Sequence, residues 1–147
     1  MSTTFIGQIN PDVVQLVTEF DPSTAPIPWK DDFVRLKNRI ESPRVYMKDG
    51  SAMALCCLLL SQKLSVPLQY IYEPKTKKQM TIRVMALFIC RDVLTWQDQT
   101  WVGNYFSLND GYYTSAINYY LFPKQRNIIK EITEKSREAL IQIYKSY

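Results

Sequence analysis

Hydrophobic positions along the chain follow two periods, and the two alternate. Val13, Leu16, Val17 and Phe20 recur at helical spacing behind Asn10-Pro11-Asp12. That tripeptide supplies an N-cap Asn, a Pro at the first helical position and an acid in the first turn, so a helix is predicted there. Pro22, Pro26 and Pro28 then impose an extended tether that ends at Trp29. Residues 50–63, rich in Ala, Leu and Met and apolar nearly all round, predict a buried helix. From Gln125 to Lys145, Ile128, Ile129, Ile132, Leu140 and Ile143 line one side and Lys130, Glu134, Arg137 and Glu138 the other. This is the pattern of a long amphipathic helix.

Elsewhere the period shortens towards two. Between Asp32 and Glu41, Val34, Leu36 and Ile40 alternate with Arg35, Lys37 and Arg39, although Phe33, Leu36 and Ile40 also fit one helix face. The strand is preferred because Ser42-Pro43 closes it and Asp49-Gly50 opens the next helix separately. Asp31-Asp32, ahead of an apolar run, reads as solvation of a helix or strand edge. Val66–Glu73 and Gln79–Asp92 alternate as well, around Pro74-Lys75-Thr76-Lys77-Lys78, which predicts a hairpin with a basic tip. A further strand at Trp101–Leu108, a turn at Asn109-Asp110-Gly111 and a helix over Tyr112–Phe122 complete the reading. The expected fold class is therefore α+β. A small antiparallel sheet is packed with helices, preceded by an N-terminal tethered arm and closed by the long C-terminal amphipathic helix. Residues 1–29 form the arm and Pro-rich linker, and residues 30–147 a single core domain.

Composition narrows the function. The 147 residues include no His and only four Gly. His-based catalytic triads and His-containing zinc sites are excluded, and glycine-rich phosphate loops are disfavoured. Cys56, Cys57 and Cys90 lack CxxC spacing, and two neighbours on a helix diverge by about 100°, so no joint metal site is expected. The expectation is a non-enzymatic protein with no catalytic residues, no metal, no cofactor and no small-molecule substrate. Buried reduced thiols, together with Met1-Ser2-Thr3-Thr4 in place of a basic leader and a longest apolar run of Ala52–Leu60, predict an intracellular chain without a transmembrane segment.

Charge then locates candidate binding surfaces. The formal net charge is +4, and the excess belongs to residues 31–91, where eleven Lys/Arg face five Asp/Glu. On a strand, Arg35, Lys37 and Arg39 project from one face at about 7 Å intervals, with Arg44 close in sequence. Lys75, Lys77 and Lys78 crowd the hairpin tip, and Arg83 follows on its second strand. Three lysines at an exposed tip repel one another unless an anion is present, so lipid headgroups or nucleic acid are the expected partners. The apolar arm, with Val13, Leu16, Val17, Phe20 and Trp29, either docks on a neighbouring subunit in a homo-oligomer or folds back on its own body. Aromatic residues from Trp96 to Tyr120 fit an oligomer interface, a core or a base-stacking surface.

The order of features from Phe33 to Leu60 resembles the matrix proteins of rhabdoviruses. A Pro-rich segment leads to a basic stretch (Phe33-Val34-Arg35-Leu36-Lys37), then to a turn (Ser42-Pro43-Arg44), then to an Ala-rich helix (Ser51-Ala52-Met53-Ala54-Leu55). The segment from Leu108-Asn109 through Ser115-Ala116-Ile117-Asn118 to Arg126-Asn127-Ile128 is similar to part of the bornavirus matrix protein. Pro22-Ser23-Thr24-Ala25-Pro26 departs by one inserted residue from the Pro-[Ser/Thr]-Ala-Pro peptides that recruit budding machinery. The resemblance implies a structural protein of a non-segmented negative-strand RNA virus. Such a protein self-associates on the anionic membrane as a peripheral layer, contacts the ribonucleoprotein or RNA, and is found in the virion and the host cytoplasm or nucleus. The competing expectation is a small RNA-binding accessory protein that suppresses host RNA defence, and a third is an adaptor that uses the tail helix.

Overall fold

The computed structural model describes residues 10–25, 29–41, 50–93 and 122–144. Within them the helices are α1 (Pro11–Glu19), α2 (Trp29–Glu41), α3 (Ser51–Leu64), the single turn α4 (Gln69–Tyr72), α5 (Lys77–Val93) and α6 (Pro123–Tyr144), with a 3-10 turn at Pro22–Thr24. No strand occurs among the described residues, so the expected α+β sheet is corrected to a helical packing. Arg44 lies outside the described residues, as do the strand, turn and helix expected from 101 to 121 and the aromatics from Trp96 to Tyr120.

Both misread segments are helices for identifiable reasons. In α2, Trp29, Phe33, Leu36 and Ile40 are buried at intervals of three and four, whereas Val34 is 42% exposed. The helical period therefore governs, and the three cations expected on one strand face point in different directions. Asp31 and Asp32 occupy the first turn and Arg39 the last, complementary to the helix macrodipole. The second correction concerns the hairpin. In α5 both alternating sets are apolar, and Ile82, Val84 and Ala86 are buried together with Met85 and Leu87. Alternation indicates a strand only where one set is polar. Here it marked a helix buried over most of its circumference.

The helix α3 sits at the centre because all ten residues from Ser51 to Leu60 are buried, which leaves a solvent face only in its last turn. It packs on α1, α2, α5 and α6. A Cβ added at its N-cap, Gly50, would fall on the Asp32 carboxylate, so α2 approaches the start of α3 too closely for a side chain there. At the other end Ser65 is left-handed (φ 54°, ψ 45°), its N–H donates to the Gln62 carbonyl and the Val66 N–H to that of Ser61. This is a Schellman closure with Ser in the position usually taken by Gly.

The arm folds back on its own body. Asn10 Oδ1 accepts from the Asp12 N–H at 2.9 Å, as the sequence implied, and the Asn10 N–H reaches Gln142 of α6. Val13 and Val17 are 1% exposed, and Leu16 and Phe20 pack against the same core. Asp21 caps the 3-10 turn by accepting from the Ser23 N–H. The Phe20 and Phe33 rings lie 4.4 Å apart and those of Trp29 and Tyr72 also 4.4 Å, which ties arm, α2 and α4 together. Of the two placements open for the arm, docking on a neighbour or folding back, these side chains take the second within one chain.

Candidate functional site

The cations singled out in the sequence divide into two groups. Arg35 pairs with Asp32 at 2.9 Å, one helical turn away. Lys37 Nζ donates to the Phe20 carbonyl at 2.9 Å and so closes the end of the arm. Arg39 is buried and engaged within the chain. Arg83 donates from Nε to the Ile71 carbonyl at 2.8 Å and from its terminal nitrogen to that of Tyr72 at 2.7 Å, which holds α4 against α5. These four serve the fold. Lys75, Lys77 and Lys78 are instead exposed and make no side-chain hydrogen bond or ion pair with another described residue.

Local sequence explains where these lysines stand. Thr76 caps α5, because its Oγ1 accepts from the Gln79 N–H at 3.1 Å while Gln79 Oε1 accepts from the Lys75 N–H at 2.8 Å. This reciprocal pair is a variant of the Thr-x-x-Gln capping box. Lys77 and Lys78 consequently fall in the first turn of α5, which holds no acid. Cations there oppose the macrodipole at about 0.3–1 kcal/mol each. The start of α6 is built similarly, with Pro123 at its first position and the Phe122 N–H donating to Gln125 Oε1 at 3.0 Å. Lys124 is exposed in that first turn, and Phe122 is 65% exposed. Neither residue was singled out in the sequence. Pro123 ahead of a long amphipathic run was the available signal.

Between the starts of α5 and α6 lies an open cleft of about 560 Å³. Leu64, Val66, Ile82, Met85 and Ile128 form its apolar floor, with Lys77, Lys78, Lys124 and Phe122 around the mouth. No acidic side chain is among its described lining residues. A cleft between the arm and the end of α3 holds neither acid nor cation among its described lining residues, whereas two others carry acids beside their cations. Asp12 and Glu131 accompany Lys63 and Lys135 in one, and Asp92 and Glu134 accompany Arg126, Lys130 and Arg137 in another. A Lys63–Glu131 ion pair at 2.9 Å further neutralises the former. Among the described residues the α5–α6 cleft therefore combines positive charge without an acid beside it and apolar surface, a combination suited to an anion that carries an apolar part.

The three cysteines converge in the core although the sequence appeared to separate them. Cys56 and Cys57 on α3 both neighbour Cys90 on α5, and all three are free and buried. Burial first, and these neighbouring thiols second, push the Cys90 thiol well above its ordinary pKa, so it stays protonated and unreactive at neutral pH. Among the described residues no cluster of Cys, Asp and Glu is arranged to hold a metal ion. Compared with known proteins, the chain matches no family model, no curated protein and no solved structure.

Proposed function

We propose that this chain is a non-enzymatic, matrix-type viral structural protein that docks peripherally on anionic lipid through Lys75, Lys77, Lys78 and Lys124. It self-associates there and contacts ribonucleoprotein or RNA. The observation that carries the lipid-docking reading is the lysine-rimmed cleft, where exposed cations accompany apolar surface with no acid among the described lining residues. Near an anionic membrane each lysine contributes about 1 kcal/mol, so four together amount to roughly a thousandfold in affinity. Among the described residues no helix is long and apolar enough to cross a membrane, which is compatible with peripheral docking. The basic stretch on which the matrix resemblance was read is helical, so the cleft now supports the lipid-binding part of the proposal.

The test is co-sedimentation with vesicles of phosphatidylserine and phosphatidylcholine, compared with phosphatidylcholine alone. Wild type is expected to bind only the anionic vesicles. Replacing Lys75, Lys77 and Lys78 by Glu should abolish binding, whereas Lys63→Glu with Lys135→Glu, on a different surface, should weaken it far less. Light scattering should show mass rising with concentration. A strictly monomeric chain indifferent to acidic lipid would remove the matrix reading. Tight, steeply salt-dependent binding to single-stranded RNA without vesicle binding would replace it with the RNA-binding accessory protein.

A further inference from the structure

We infer that the α5–α6 cleft takes one acyl chain of an anionic lipid, with the headgroup held at its mouth by Lys77, Lys78 and Lys124. The inference rests on the docking reading above and deepens it, since headgroup attraction alone needs lysines and no cleft. Three parts of the chain supply the floor: the end of α3 and its turn with Leu64 and Val66, α5 with Ile82 and Met85, and α6 with Ile128. A volume of about 560 Å³ falls within the roughly 300–1,000 Å³ of small-molecule sites. A free inorganic anion would satisfy the lysines and leave the floor wet. A neutral hydrocarbon would cover the floor and leave three ammonium groups without a counter-charge. An amphiphile with one negative head meets both conditions.

Phe122 adds a second reason. It is the most exposed of the large hydrophobic side chains among the described residues, and it stands at the mouth beside Lys124. An aromatic ring next to lysines, at the edge of an apolar slot, suits the boundary between headgroups and acyl chains. The position of the lysines supports the same conclusion. Lys77 and Lys78 sit in the first turn of α5, where the macrodipole disfavours them. A local rule of helix stability is broken where binding benefits from it.

The experiment uses the full chain and sodium dodecanoate below its micellar concentration, with calorimetry for affinity and the Met85 methyl resonance for location. One-to-one binding with a shift at Met85 is expected. Dodecyltrimethylammonium, with the same chain and the opposite charge, should bind at least tenfold more weakly, and inorganic phosphate should not shift Met85. Thr81→Trp and Ile128→Trp, two independent ways to fill the cleft, should each weaken dodecanoate at least tenfold. Both variants keep Lys75, Lys77, Lys78 and Lys124, so their binding to phosphatidylserine vesicles should weaken less than that of the variant with Lys75, Lys77 and Lys78 replaced by Glu. Vesicle binding without dodecanoate binding would overturn the acyl site and leave the docking reading standing. Loss of both would overturn both. Equal binding of the cationic amphiphile, or dodecanoate binding that leaves Met85 unshifted, would also overturn the acyl site.

Discussion

Tyr72 and Arg83 show how much of this fold depends on single polar groups. Tyr72 is 7% exposed, packs on Trp29 and Phe33, and its hydroxyl finds no hydrogen-bond partner among the described residues. An unsatisfied buried hydroxyl costs about 1–3 kcal/mol, so Tyr72→Phe should raise the urea midpoint by an amount worth about 1 kcal/mol. Burial foremost, and Cys57 beside it, raise the phenol well above its ordinary pKa. The folded state thus disfavours the phenolate. Stability linked to Tyr72 is intact below the ordinary tyrosine pKa of about 10 and declines as pH rises beyond it. Urea titrations between neutral and alkaline pH should show that decline in the wild type, and Tyr72→Phe should lessen it. Arg83 bonds two carbonyls at the end of α4 through a forked guanidinium. Arg83→Lys should therefore lower stability by about 1–3 kcal/mol, because a point charge cannot reproduce both bonds. Neither role was legible in the sequence, where Arg83 counted only as one more cation near a basic tip.

At the scale of elements, α5 is where local sequence and function conflict. The Thr76-Lys77-Lys78-Gln79 segment carries a helix-start signature, and reading it as a hairpin tip missed the cap. Placing acids in that first turn should improve the helix, so Lys77→Glu with Lys78→Glu is expected to stabilise the fold by about 0.5–2 kcal/mol. The same variant should lose binding to anionic vesicles. Thermal melting and co-sedimentation on one preparation separate the two effects, and a binding loss caused by unfolding would appear as a lower melting temperature. In α2 both periods were present in the sequence, and the acids Asp31 and Asp32 before Phe33 were the neglected sign of a helix start. By contrast α1, α3 and α6 were predicted close to their observed limits, because each combines a strong helical pattern with a recognisable start or a long apolar run.

For the whole molecule, the arm is a structural part of the core. Val13 and Val17 are fully buried, and burying each such side chain contributes about 1.5–3 kcal/mol. With Leu16 and Phe20 packed beside them, deleting residues 10–25 removes an amount comparable to the roughly 5–15 kcal/mol of a typical domain. The deleted chain should lose cooperative urea unfolding, not merely its capacity to assemble, as circular dichroism would show. The sequence by itself determined the helix start at Asn10, the amphipathic helix from Gln125, the burial of α3 and the absence of His-dependent chemistry. These follow from residue identity and spacing over a few turns. Only the tertiary structure decided between strand and helix for the alternating segments, since in α5 burial over most of the circumference makes the two patterns alike and in α2 both periods were present. It alone also showed that Arg35, Lys37, Arg39 and Arg83 serve the fold while Lys75, Lys77 and Lys78 remain exposed. For Arg35, Lys37 and Arg83 that division depends on which carbonyl or carboxylate the chain brings within 3 Å, and the partners include residues as far apart in sequence as Phe20 and Lys37. Lys124 joins the lysine cluster for the same reason, because the packing of α6 on α5 brings the starts of two helices to one cleft.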